Sequence, residues 1–144
     1  MMKAALSGFV ASVVFFVGGP ADEAALKKEK ARLKGMWKIT RFENAKGEDD
    51  KFKDAILVFD EAGAAELRHN GEVKKAAYKI NPAAKLKELD LTAEGKDTTM
   101  KGIYELKKDM LKICLDDDPN AERPTEFAIK PGSRQALIMF ERAK

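Results

Sequence analysis

Gly35-Met36-Trp37, answered by Arg142 near the far end of the sequence, decides the fold. A small antiparallel barrel closes by pairing its first strand with its last. The start of one then lies beside the end of the other, so Trp37 and Arg142 can meet at a single seam. A guanidinium over an indole face contributes roughly 0.5–2 kcal/mol, depending on desolvation.

Upstream of that seam, Asp22 to Lys34 predicts a short helix. Asp22 is placed as N-cap, with Glu23 in the first turn. Ala25, Leu26, Glu29 and Leu33 recur at near-helical spacing, and Gly35 supplies the stop. Only Leu26 and Leu33 on that stripe are large and apolar, so the helix is expected to pack on the barrel rather than stand alone.

Downstream, the pattern changes to short strands separated by turn signals. Met36–Phe42 is followed by Ala55–Phe59, Ala64–His69, Val73–Ile80, Leu86–Leu91, Thr99–Leu106, Met110–Leu115, a short segment Thr125–Ile129, and Gln135–Arg142. Asn70-Gly71 is a strong hairpin signal, because both central residues of a type I′ turn need positive φ. Such sequential strands favour an up-and-down meander. Side-chain alternation assigns the inward faces. Ala76, Tyr78 and Ile80 share one parity, as do Met100, Gly102, Tyr104 and Leu106, and then Leu111, Ile113 and Leu115. In the last strand Ile138, Phe140 and Arg142 share a face, which turns Arg142 toward the barrel end where Trp37 begins.

The opening of the chain reads as an export signal. Lys3 gives the positive start, Ala4 to Gly19 is uncharged and mostly apolar, and Gly19-Pro20-Ala21 offers small residues at the positions a signal peptidase inspects. Cleavage is expected after Ala21; the alternative is an uncleaved membrane anchor. Loss of residues 1–21 removes one basic side chain, Lys3, so the 27 basic residues become 26 against 24 acidic ones. The two signs are interspersed, which argues against a nucleic-acid footprint. Cys114 is the single cysteine, so no intrachain disulfide forms. Its parity is opposite to that of Leu111, Ile113 and Leu115. It is therefore expected outside the barrel, buried under the helix.

Several stretches resemble a known family. Leu33-Lys34-Gly35-Met36-Trp37-Lys38-Ile39 is similar to the opening of a lipocalin-like domain family expanded in planctomycete bacteria. Leu89-Asp90-Leu91-Thr92, Lys101-Gly102-Ile103-Tyr104-Glu105-Leu106, Leu111-Lys112-Ile113-Cys114, Arg123-Pro124-Thr125-Glu126-Phe127 and Lys130-Pro131-Gly132-Ser133 follow in order. The resemblance spans roughly Leu33 to Arg142. It implies a lipocalin-like barrel in an exported protein and carries no catalytic residue with it. By analogy with lipocalins more broadly, Gly35, Trp37 and Arg142 would be structural, closing one end of the barrel.

The reactive inventory is poor. After cleavage Ser133 is the one serine and His69 the one histidine. A serine triad would need both, and Ser133 lies in a Pro-Gly-Ser turn. One His and one Cys are too few for a zinc site. Asp116-Asp117-Asp118 lacks the spacing of a calcium loop. His69 shares parity with Ala65 and Leu67 and is expected to point inward near a rim. Tyr78 and Tyr104 sit on inward faces, where a buried phenol wants a hydrogen-bond partner. Met100, Leu111, Ile113 and Phe140 provide bulk that favours a filled or nearly filled core.

The expectation is therefore an all-β chain in three parts: a signal peptide at 1–21, a helix at 22–34, and a lipocalin-like antiparallel up-and-down barrel of eight to nine strands at 35–144. Its expected role is non-catalytic and needs no metal or cofactor. The first reading is an exported, periplasmic or extracellular binder of a small apolar ligand, with Phe59, Tyr78, Tyr104 and Phe140 as candidate wall residues. The alternative is a protein-contact module of the cell envelope with a packed interior. Neither reading involves nucleic acid, and a membrane enters only through the signal segment.

Overall fold

Short strands with local turns fold back on their predecessors, and here they do so around a complete circle. The computed structural model describes residues 20–143, and the side chains from Glu23 onward. One helix, α1 (Pro20–Leu33), precedes nine strands. These are β1 (Gly35–Asn44), β2 (Gly47–Glu48), β3 (Ile56–Phe59), β4 (Ala64–His69), β5 (Glu72–Asn81), β6 (Glu88–Ala93), β7 (Thr99–Lys107), β8 (Met110–Asp116) and β9 (Gln135–Arg142). Their order is β9-β8-β7-β6-β5-β4-β3-β1-β2, and β9 also pairs with β1. Every pairing is antiparallel. Eight strands thus form a closed up-and-down barrel, and β2 is a two-residue addition folded back on the end of β1.

Several boundaries differ from the sequence reading. The described part of the helix already includes Pro20 and Ala21, so Asp22 lies within the helix and is not the N-cap. The predicted signal, residues 1–21, falls almost wholly outside the described residues. Thr125–Ile129 forms no strand. It belongs to a loop, Asp117–Arg134, that folds over the outside of the barrel. Arg123 anchors this loop, donating to Asp90 Oδ1 (2.7 Å) and to the Gly102 carbonyl (2.9 Å). Cys114 is fully buried beneath the loop, its Sγ 3.8 Å from the Ala128 carbonyl. Its outward parity is as expected, but the loop covers it and α1 does not. Burial pushes the Cys114 thiol pKa up.

A β-bulge interrupts β1. Phe140 pairs with Ile39, yet Met139 pairs with Arg41, which leaves Thr40 as an extra residue. The inward parity of Trp37 and Ile39 therefore passes to Phe42. Asn70 and Gly71 take φ of 52° and 79° in the β4–β5 hairpin, the left-handed pair that a type I′ turn requires.

Among the described glycines, Gly102 leaves the least room for a side chain. A Cβ there would sit 2.8 Å from the Cys114 carbonyl oxygen and 3.0 Å from Leu115 Cβ. The first neighbour is backbone, held in the β7–β8 ladder by the register Leu115↔Gly102. Gly102→Ala is expected to lower stability by about 1–3 kcal/mol through overpacking. A urea unfolding midpoint matching the parent would show that the wall yields.

Candidate functional site

The barrel has two unlike ends. At one, β1 and β8 begin and β7 and β9 finish, and α1 packs against it. The helix turns its stripe of Leu26, Glu29 and Leu33 to the barrel, with Glu29 and Leu33 buried. Trp37 has no exposed surface and donates from Nε1 to the Leu33 carbonyl at 2.8 Å. The Arg142 guanidinium carbon lies 4.1 Å from the Trp37 ring centroid. Its Nη2 donates to the Arg32 carbonyl (2.9 Å) and its Nη1 to the Lys34 carbonyl (3.1 Å). Arg142 thus does two things: it covers the indole, and it places a cation on the carbonyls at the helix C-terminus, where the macrodipole favours one. Gly35, at φ 121°, lets the chain pass: a Cβ there would meet Arg142 Nη1 at 3.3 Å.

Glu29 completes this closed end. Its Oε2 accepts from Tyr104 OH and from Lys87 Nζ, both at 2.8 Å, and its Oε1 accepts from Arg32 Nη1 at 3.0 Å. Burial pushes the Glu29 pKa up, but the bonds from Lys87 and Tyr104 and the charges of Lys87 and Arg32 outweigh it. The carboxyl is held below its ordinary 4.5. Burial and the neighbouring Glu29 push the Tyr104 phenol well above its ordinary range. Burial, with Asp60 and Glu61 nearby, pushes Tyr78 up to about 12. Its OH donates to the Asp60 carbonyl.

The candidate wall residues all lie in this closed half. Phe59, Tyr78, Tyr104 and Phe140 are at most 3% exposed. The Phe59 and Tyr78 rings meet edge to face at 4.9 Å, and Tyr104 is engaged by Glu29. Aromatic bulk on an inward parity selected these four, and here that bulk fills the core. All four are shielded from solvent.

The other end, where β1 finishes and β4 meets β5, is built differently. Inward-facing Phe42, Leu67, His69, Ala76, Leu91, Met100 and Leu115 are only half-buried. Phe52 joins them from the segment between β2 and β3. Its ring centroid is 5.1 Å from Phe42 and 5.5 Å from His69. Sequence parity reached His69, Met100 and Leu115. It missed Phe42, because the bulge reverses parity, and Phe52, because it lies outside any strand. Most inward side chains toward α1 are buried, Ile80 excepted, whereas those toward the other end are mostly half-buried and apolar, packed against the core with part of their surface exposed, although Ala136 and Ile138 there are buried.

The outer surface also carries an open groove of about 470 Å³ across β4, β5 and the end of β6, lined by five alanines together with the charged Glu66, Lys75, Glu94 and Lys96. Among the described residues, no group of three or more His, Cys, Asp or Glu side chains could hold a metal ion. No helix among them is long and apolar enough to cross a membrane. Compared with protein families, with characterised proteins and with solved structures, the chain matches none.

Proposed function

We propose that this protein is an exported, non-catalytic, lipocalin-like binding protein that takes a small apolar molecule into the open half of its barrel. One observation carries the reading. Most inward side chains at the α1 end are buried, yet toward the opposite end Phe42, Leu67, Leu91, Met100 and Leu115 are only half-buried. Apolar surface left exposed on inward-facing side chains is a standing gain for any ligand that covers it, about 25 cal/mol per Å². Binding sites of this kind form in the mouths of β-barrels, with few polar groups to set orientation. The sparse nucleophiles and bases argue for binding over chemistry.

Titration with the apolar fluorophore 1-anilinonaphthalene-8-sulfonate tests the reading, together with native mass spectrometry of the purified protein. The fluorophore is expected to bind saturably at one site, and an apolar molecule is expected to co-purify. Leu91→Arg places a charge on the inward face of β6, where water can still reach it. It is expected to weaken the fluorophore about tenfold or more while the folded spectrum persists. Unchanged affinity in a folded L91R protein would place the fluorophore elsewhere. An empty protein that co-purifies with a polypeptide would instead favour a protein-contact module of the cell envelope.

A further inference from the structure

The ladder between β1 and β3 is short. β3 is four residues long and pairs with β1 only from Gly35 to Lys38. Two backbone bonds extend that seam, Ile39 N–H to the Ala55 carbonyl (2.8 Å) and Asp54 N–H to the Ile39 carbonyl (3.1 Å). The next bond to β1 comes only from Asp49 N–H, to the Phe42 carbonyl (2.8 Å). The chain between them, Asp50–Lys53, is a turn stitched to itself. Lys53 N–H bonds to the Asp50 carbonyl, Ala55 N–H to the Phe52 carbonyl, and Lys51 N–H to Asp49 Oδ1. Asp54 closes the turn at φ 68°. From this turn Phe52 reaches in between Phe42 on β1 and His69 on β4.

We propose that Phe52 is a built-in occupant of the open half of the barrel, a side chain holding the place that an apolar ligand takes. The other apolar groups of the mouth are fixed on laddered strands. Phe52 alone can withdraw without breaking a rung of the sheet. Its ring neighbours Phe42 and His69 are themselves half-buried, it rests on the edge of the core, and Lys51 Nζ, 5.5 Å from its centroid, already faces it from the adjacent residue of the same turn. A ligand that buries Phe42 and Leu67 would displace the Phe52 ring and cover the surface it vacates. The turn is then a self-competing element: it keeps the apolar mouth partly covered when empty and lowers affinity for ligands too weak to replace it. The inference rests on the binding role proposed above.

The sign of the mutational effect separates this from an ordinary lining residue. Truncating a wall contact weakens binding, whereas truncating a competitor strengthens it. Phe52→Ala is expected to bind 1-anilinonaphthalene-8-sulfonate about tenfold more tightly than the parent, with faster association in stopped flow; tenfold corresponds to about 1.4 kcal/mol. Phe42→Ala, on a laddered strand, is expected to weaken binding. Phe52→Leu serves if the alanine variant is unstable, with a smaller gain expected. Equal or weaker binding by folded Phe52 variants, beside a parent that does bind, would overturn the inference and leave the binding role standing. Absence of binding by parent and variants alike would remove both.

Discussion

Trp37→Ala is expected to lower the stability of the fold by about 3–5 kcal/mol, the range for losing a large aromatic from a packed core. For a domain of this size that is a fall in Tm on the order of 10–20 °C. The residue has no exposed surface, so the whole ring is lost from the interior. Two further losses follow. The Leu33 carbonyl loses its Nε1 donor, and the Arg142 guanidinium loses the face it lies on. Arg142 would keep its bonds to the Arg32 and Lys34 carbonyls, so Arg142→Ala in the W37A background is expected to cost less than it does in the parent. The coupling should be about 0.5–2 kcal/mol. Urea denaturation of the four proteins measures it. Strictly additive effects would mean that the stacking contributes nothing beyond area.

The second large effect is expected at Glu29. Glu29→Ala takes the acceptor from Tyr104, which is 2% exposed, and from Lys87 and Arg32. Lys87 and Arg32 can regain water, so most of the cost falls on the stranded phenol and on the lost attachment of α1. The expected loss is about 2–4 kcal/mol. A pH signature accompanies it. The folded carboxyl titrates below 4.5 and the unfolded one near it, so the unfolded chain takes up protons first as pH falls. The contribution of Glu29 is therefore full above about pH 4.5 and is lost as pH drops through the folded value. Glu29→Gln removes that step, so its urea midpoint is expected to fall less steeply than the parent's below that pH. Parallel curves would show that the carboxylate charge is not what holds the helix.

Much of this architecture was legible because its signals are local. Asn70-Gly71 needs no partner to announce a hairpin. Period-two alternation in β7, β8 and β9 sorted Tyr104, Ile113, Phe140 and Arg142 onto inward faces before any pairing was known. What depended on distant partners was hidden. The bulge at Thr40 arises from how β1 meets β9, so the inward turn of Phe42 could not be read from β1 alone. The cover over Cys114 comes from a loop whose anchor, Arg123, bonds to β6 and β7. Glu29 stood on the helix stripe between Leu26 and Leu33, and that position was the available sign of its burial; the acidic side chain obscured it. The open mouth was hidden for a related reason. Alternation tells which way a residue points, but not whether the space it points into is already full.

Circular closure has a bearing on how this chain behaves when concentrated. In an open sheet the outermost strands display bare amide and carbonyl groups that can recruit a neighbouring molecule and seed fibrils. Here β9 and β1 pair along most of their length, and among the described strands the added edge strand is β2, only two residues long. So short a flank is a poor template for growth. Closure of β9 on β1 thereby removes the two long edges through which an open sheet of these strands would grow.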